Sequence, residues 1–149
     1  MLRLSKLADY ATVIIAYLAQ HPGEASAKNI AEKTGIALPT ASKLLKRLTQ
    51  QQLLLARRGV KGGYQLALSA SDISLGEVIQ SLEGPIALTE CSYSNRRCNV
   101  EKHCMIRDNW RRISALIQDT LMHISVADLI QPLKLEALLK PSLAIREKH

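Results

Sequence analysis

Residues 26–68 pass from one periodicity to another in an order that few folds can accommodate. Ser26 stands before Ala27-Lys-Asn-Ile-Ala-Glu-Lys33, a short helical stretch for which it is a natural N-cap. Thr34-Gly35-Ile36 then predicts a tight turn, with Gly35 able to take a left-handed conformation. Pro39 suits the start of a second helix, in which Ala41, Leu44, Leu45 and Leu48 fall on one face and Thr40, Lys43 and Arg47 on another. Two short helices about a glycine turn make a helix-turn-helix. Directly after it come the strand-length run Leu53 to Arg58, the tip Gly59-Val-Lys-Gly-Gly63 and the alternating Tyr64-Gln-Leu-Ala-Leu68. This is a β-hairpin with a glycine-rich, cationic tip, which turns the motif into a winged helix. A nucleotide-binding glycine loop is excluded, because its glycines would have to lead into a helix that holds phosphate, and here they lead into a strand.

A winged helix of this kind places its second helix in a DNA major groove. Thr40, Ser42 and Lys43 are the candidates for base edges. Lys46 and Arg47 are candidates for phosphate, with Pro39 and Lys28 beside them. The wing would lay Arg57, Arg58 and Lys61 along the backbone or into the minor groove. A plain helical hairpin with a solvated face is the bland alternative. It leaves the charge unexplained: the chain carries +7, and residues 1–70 hold ten Lys and Arg against three Asp and Glu, whereas residues 71–149 hold ten of each. A basic half joined to a neutral half points to a polyanion binder with a second function attached.

Leu7, Ala11, Ile14, Ile15 and Leu18 predict a core helix over 5–20, closed by Pro22-Gly23. After the wing, Leu75, Val78, Ile79 and Leu82 predict a short helix stopped by Gly84-Pro85. Further on, Ile106, Trp110, Ile113, Ile117, Leu121 and Ile124 form one apolar stripe about twenty residues long, which needs a partner surface. A second copy of the chain is the simplest partner, since a two-fold DNA site calls for a two-fold dimer; packing back on the chain's own domain is the other. Ser125 to Ile130 should turn back toward the core. With no Phe, one Trp and four Tyr, the core must be aliphatic. The fold expected is mainly α with a small β-wing, divided into a winged helix-turn-helix domain (1–84), a cysteine loop (85–104), a dimerisation helix with its return segment (105–131) and a tail (132–149). No apolar run approaches the roughly 18 residues of a membrane span.

All three cysteines, Cys91, Cys98 and Cys104, lie within fourteen positions among Ser, Asn, Arg, Lys and Glu. Cysteine that serves as a small hydrophobe is buried singly; polar thiols this closely grouped bind metal or do redox chemistry. An odd number of them, with no secretory segment, fits a reducing, cytoplasmic setting. Thiolates suit both iron–sulfur clusters and zinc. A Cys₃His zinc site would need His103 or His123. A thiol redox enzyme would want a Cys-x-x-Cys pair, which is missing, and would leave the basic winged helix without a purpose. No other catalytic arrangement stands out.

The opening Leu2-Arg-Leu-Ser-Lys-Leu-Ala-Asp-Tyr-Ala11, the wing Arg58-Gly-Val-Lys-Gly-Gly-Tyr64, Ile73-Ser-Leu-Gly-Glu-Val-Ile79, the three cysteines ahead of a Trp-Arg-bearing helix, and Ile124-Ser-Val-Ala-Asp-Leu129 together resemble the winged-helix regulators typified by the iron–sulfur regulator IscR and the nitric oxide regulator NsrR. Within that family the chain is most similar to regulators found beside SUF cluster-assembly operons of proteobacteria. The resemblance covers residues 1 to about 131. It implies a homodimeric transcription factor, a repressor among the family's roles, that binds a two-fold operator in double-stranded DNA and carries an iron–sulfur cluster on Cys91, Cys98 and Cys104. A 2Fe–2S cluster is expected in preference to 4Fe–4S, with zinc as the alternative. The resemblance also brings in Asp9, which matches the acidic position that NsrR-type members use as a cluster ligand from the opposite subunit. Some residues depart from the pattern. Val60-Lys61 replaces the usual Pro-Gly of the wing, Ser42 stands where IscR-type members have an acidic residue, Cys91 and Cys98 are spaced one residue wider, and Arg107 replaces IscR's histidine ligand.

Overall fold

The computed structural model describes residues 3–59, 62–92, 98–99 and 103–133. Ser5 caps α1 (Lys6–Gln20) by accepting from the Ala8 amide. This helix packs on most of the winged helix-turn-helix unit, or reader: on α2 (Ala27–Thr34), on α3 (Leu38–Gln50), on α4 (Leu75–Glu83) and on the second strand of the wing. Its buried face is Ala8, Ala11, Ile14, Ile15 and Leu18. Leu7 was expected in that stripe but is 37% exposed, because Ala8, one helical step of ~100° away, has the inward phase.

The helix-turn-helix forms by local rules. Ser26 accepts from the Asn29 amide, Gly35 ends α2 at φ 71°, and Pro39 sits in the first turn of α3. Ala41, Leu44, Leu45 and Leu48 are all buried. In the wing, β1 (Leu54–Ala56) pairs antiparallel with β2 (Tyr64–Leu66), Leu54 opposite Leu66. Ala25 adds a single antiparallel bridge to β2: its amide donates to the Tyr64 carbonyl at 3.0 Å and its carbonyl accepts from the Tyr64 amide at 2.8 Å. That approach leaves no room for a side chain at Gly63, where a Cβ would lie 2.6 Å from the Ala25 oxygen. Lys61 lies outside the described residues.

Beyond the wing, Ser74 and Glu77 form a capping box that starts α4. A 3-10 turn, Glu90–Ser92, precedes α5 (Arg107–His123), and α6 (Val126–Leu129) follows behind a second capping box, Ser125 with Asp128. The two capping serines pair as an antiparallel bridge. Leu75 donates to the Ile124 carbonyl and Val126 to that of Ile73, both at 2.8 Å, and Ala127 donates to Ala70 at 3.0 Å. Ile73 and Val126 are buried in the same core as α1 and α3. The return segment is therefore part of the reader's core, and α5 leaves and rejoins that core as an arm.

Candidate nucleic-acid interface and thiol site

On α3, Pro39, Lys43, Lys46 and Arg47 are exposed and Thr40 and Ser42 half-buried. With Gln50, most of them line a shallow concavity along the outer face of the helix. The buried leucine stripe fixes this face outward, so Ser42, Lys43, Lys46 and Arg47 share one surface. Arg47 is also held from behind: its Nε donates to the Ser81 carbonyl of α4 at 3.1 Å, which fixes where the guanidinium can reach. Lys28 is exposed in the first turn of α2. In the wing, Arg57 and Arg58 are exposed. Arg57 Nη1 pairs with Glu24 Oε1 at 3.2 Å, and the arginine side chain keeps 79% of its accessibility. A pair so exposed contributes little and does not remove Arg57 from solution. Neither tertiary partner, Ser81 or Glu24, has a local sequence signal.

The apolar stripe of α5 divides. Ile106, Trp110 and Ile113 are 55%, 36% and 42% exposed, joined by Leu116 at 46% and Met105 at 98%. Ile117 and Leu121 are half-buried. Ile124, expected in the stripe, is 8% exposed and has left it. It is the C-cap residue, with ψ at 113°, so the helical phase that would carry its side chain onto the stripe has already ended.

Cys91 is buried in the 3-10 turn, whereas Cys98 and Cys104 are half-buried; none is in a disulfide. Arg111 Nε of α5 donates to the Cys91 carbonyl at 2.8 Å. Thr89 Oγ1 lies 3.2 Å from Cys91 Sγ and 2.9 Å from Ser92 Oγ. Ser114, the one buried residue of α5, donates to Ser92 Oγ at 3.0 Å and accepts from the Leu88 amide at 3.2 Å. The sequence reading missed these hydroxyls; serine and threonine in a polar loop carry no pattern that distinguishes them.

By donor type, three free thiols in one loop fit an iron–sulfur cluster or zinc. Among the described residues, however, no three Cys, His, Asp or Glu side chains are gathered as a metal site. Glu90 and His103 are exposed beside the loop, and Glu101 lies outside the described residues. His123 is excluded as a ligand alongside Cys104 of the same chain: α5 is seventeen residues long, which carries His123 about 24 Å from the start of the helix. Its ring instead bonds the Asp119 carbonyl at 2.8 Å. Asp9 is exposed in the first turn of α1, where Ser5 supplies the cap and Lys6 lies 5.5 Å over the Tyr10 ring. The Asp9 carboxylate has no hydrogen bond or ion pair with another described residue.

A helix-turn-helix with a paired wing, its outward face basic and a thiol-bearing arm attached, is the architecture of a DNA-binding regulator. Residues 4–132 match the Rrf2 family, described as iron-dependent transcriptional regulators, and the chain belongs to that family. It is 31% identical over 132 residues to protein rrf2 of Nitratidesulfovibrio vulgaris, covering 87% of this chain and 88% of that one. The fold is similar to CymR, the global cysteine regulator of B. subtilis, with TM-score 0.69 and 29% identity over 87% of this chain and 97% of that one. It is similar also to IscR of T. potens, with TM-score 0.65 and 28% identity over 99% and 93%. Among the described residues no helix is long and apolar enough to cross a membrane.

Proposed function

We propose that this chain is a homodimeric transcription regulator whose affinity for a two-fold operator is set by an iron–sulfur cluster on Cys91, Cys98 and Cys104, and that its targets are SUF-type cluster-assembly genes. The observation that carries the reading is the position of the thiols. Three uncrosslinked cysteines lie between a DNA reader and an exposed apolar helix face, in a chain of an iron-dependent family. Three protein thiolates leave one iron position for a weaker oxygen or nitrogen donor, which favours a labile, sensing cluster over a structural one. Asp9 of the partner subunit is the donor we assign to it, since that carboxylate is exposed and uncommitted. A ligand on α1 would tie the cluster to the reader, so that cluster loss changes the contacts available in the two states and hence operator affinity.

The wing and α3 would position the reader through Arg57, Arg58, Lys46 and Arg47 on phosphate, leaving Thr40, Ser42 and Lys43 to reach base edges. Anaerobic purification with iron and sulfide analysis tests the cluster. The expected result is both elements present with visible thiolate-to-iron absorption, and loss of both on Cys91→Ala, Cys98→Ala or Cys104→Ala. Stoichiometric zinc without iron would overturn the sensor mechanism and leave the DNA reading standing. A second reading, a metal-free thiol regulator, is favoured by the ungrouped thiols and by similarity to a protein named as a cysteine regulator. It predicts neither metal, with reversible disulfide formation in air.

A further inference from the structure

The only residue that α5 buries is a serine. A helix packed on a loop usually presents an apolar side chain at such a point, and a buried hydroxyl is tolerated only when hydrogen-bonded. Ser114 is bonded twice, and its bonds lead to a sulfur. The Leu88 amide can only donate, so it donates to Ser114 Oγ, and the Ser114 proton goes to Ser92 Oγ at 3.0 Å. From Ser92 the chain continues to Thr89 at 2.9 Å and from Thr89 to Cys91 Sγ at 3.2 Å. On the other side of the turn, Arg111 of the same helix holds the Cys91 carbonyl.

We propose that Thr89, Ser92 and Ser114 are positioning residues that hold Cys91 against α5, making it the fixed thiol on which the half-buried Cys98 and Cys104 close when the group is bound. The proposal rests on the cluster reading for its purpose, but the arrangement itself belongs to the chain without any metal. The chain of hydroxyls can serve the sulfur in either of its roles. When the sulfur is metal-bound and accepts, Ser92 donates to Thr89 and Thr89 to the sulfur. When it is a free thiol and donates, Thr89 turns to Ser92, and Ser92 to the Trp110 carbonyl at 3.4 Å. No heavy atom has to move between the two. Hydrogen bonds to ligand sulfur also tune the potential and lability of a bound cluster, so the same residues would set how readily the sensor discharges.

Alkylation of the iron-free, reduced full-length protein by iodoacetamide, followed cysteine by cysteine with mass spectrometry, tests the positioning without any cluster. In the wild type Cys91 should react more slowly than Cys98 and Cys104. Thr89→Val and Ser114→Ala should each speed Cys91 about fivefold, what one hydrogen bond is worth in a local opening equilibrium, with the other two thiols unchanged. Thr89→Ser should restore the wild-type rate, which a purely steric role for Thr89 would not predict. After reconstitution with iron and sulfide, the midpoint potential should fall in Thr89→Val and be retained in Thr89→Ser. Two variants that fold, as judged by circular dichroism, yet alkylate at the wild-type rate would overturn the proposal. Failure of the wild type to take up iron would instead overturn the cluster reading, and the alkylation contrast would still decide the positioning role.

Discussion

At its C-terminal end α5 runs into Ile124, which is 8% exposed and accepts from Leu75, whereas just before its N-terminal end Met105 is 98% exposed and Ile106 55%. The first end is joined to the reader by backbone hydrogen bonds, the Ser74–Ser125 bridge and a shared core. The second leans on a polar turn through Ser114 and Arg111 and otherwise turns its apolar side chains outward. On the proposed mechanism, such a helix would carry a change at its open end to the unit on which it is anchored. The two ends divide the helix: the closed end belongs to the reader's stability, and on the proposed function the open end would supply partner and ligand contacts.

The sharpest way to break that division is to cut the reader's core. Leu44→Ala should cost about 2–5 kcal/mol of unfolding free energy, since Leu44 is 1% exposed at the centre of the packing. Ile113→Ala at the open end should change monomer stability by no more than ~0.5 kcal/mol, and thermal or urea unfolding of both variants measures the contrast. Ile113→Asp should leave the fold intact and give a monomer in sedimentation, a buried unpaired charge costing the dimer about 3 kcal/mol. A dimer that persists would move the interface off this face. Next in size is the joint itself. A Cβ at Gly76 would lie 2.6 Å from Met122 Sδ and 3.1 Å from the Met122 amide, so Gly76→Val should cost about 1–3 kcal/mol by forcing α4 and α5 apart.

The smallest effect expected is at the second capping box. Ser125→Ala removes the bond to the Asp128 amide and should cost about 1 kcal/mol. It should also flatten the acid limb of stability. The hydroxyl and amide of Ser125 hold the Asp128 carboxyl below its usual value. A depressed carboxyl adds stability above the ordinary aspartate range and loses it as pH falls through the folded value. Unfolding followed from neutral pH downward in wild type and variant measures the difference.

The reader was legible in the sequence because its signals are local: Ser26 as cap, Gly35 at positive φ, Pro39 in the first turn, and a leucine stripe at helical spacing. The face that α3 turns outward follows from which side the leucines bury. What the sequence hid lies at long range or across a phase break. The Ser74–Ser125 bridge joins residues 51 positions apart, and nothing near either marks the other. Ile124 keeps the spacing of the stripe but sits one residue past the helix, where the period no longer applies. Leu7 and Ala8 are adjacent candidates for one core slot, and hydrophobicity favours the wrong one. At the thiol loop the donor types were evident, but the hydroxyls that seat Cys91 are residues whose role comes only from their neighbours in space.

The central claim is that the state of the thiol loop sets the affinity of the reader. Titration of a two-fold operator with cluster-loaded and cluster-free protein, at several salt concentrations, tests it most directly. The account predicts affinities that differ between the two forms by fivefold or more, the scale of an ordinary coupling free energy. It predicts further that Lys46→Ala weakens both forms and reduces the slope of log affinity against log salt by about 0.9, while Asp9→Ala abolishes the difference between them. Equal affinities for the loaded and empty forms, with a normal salt slope, would contradict it: the chain would then be a DNA-binding protein whose cysteines do not control the reader.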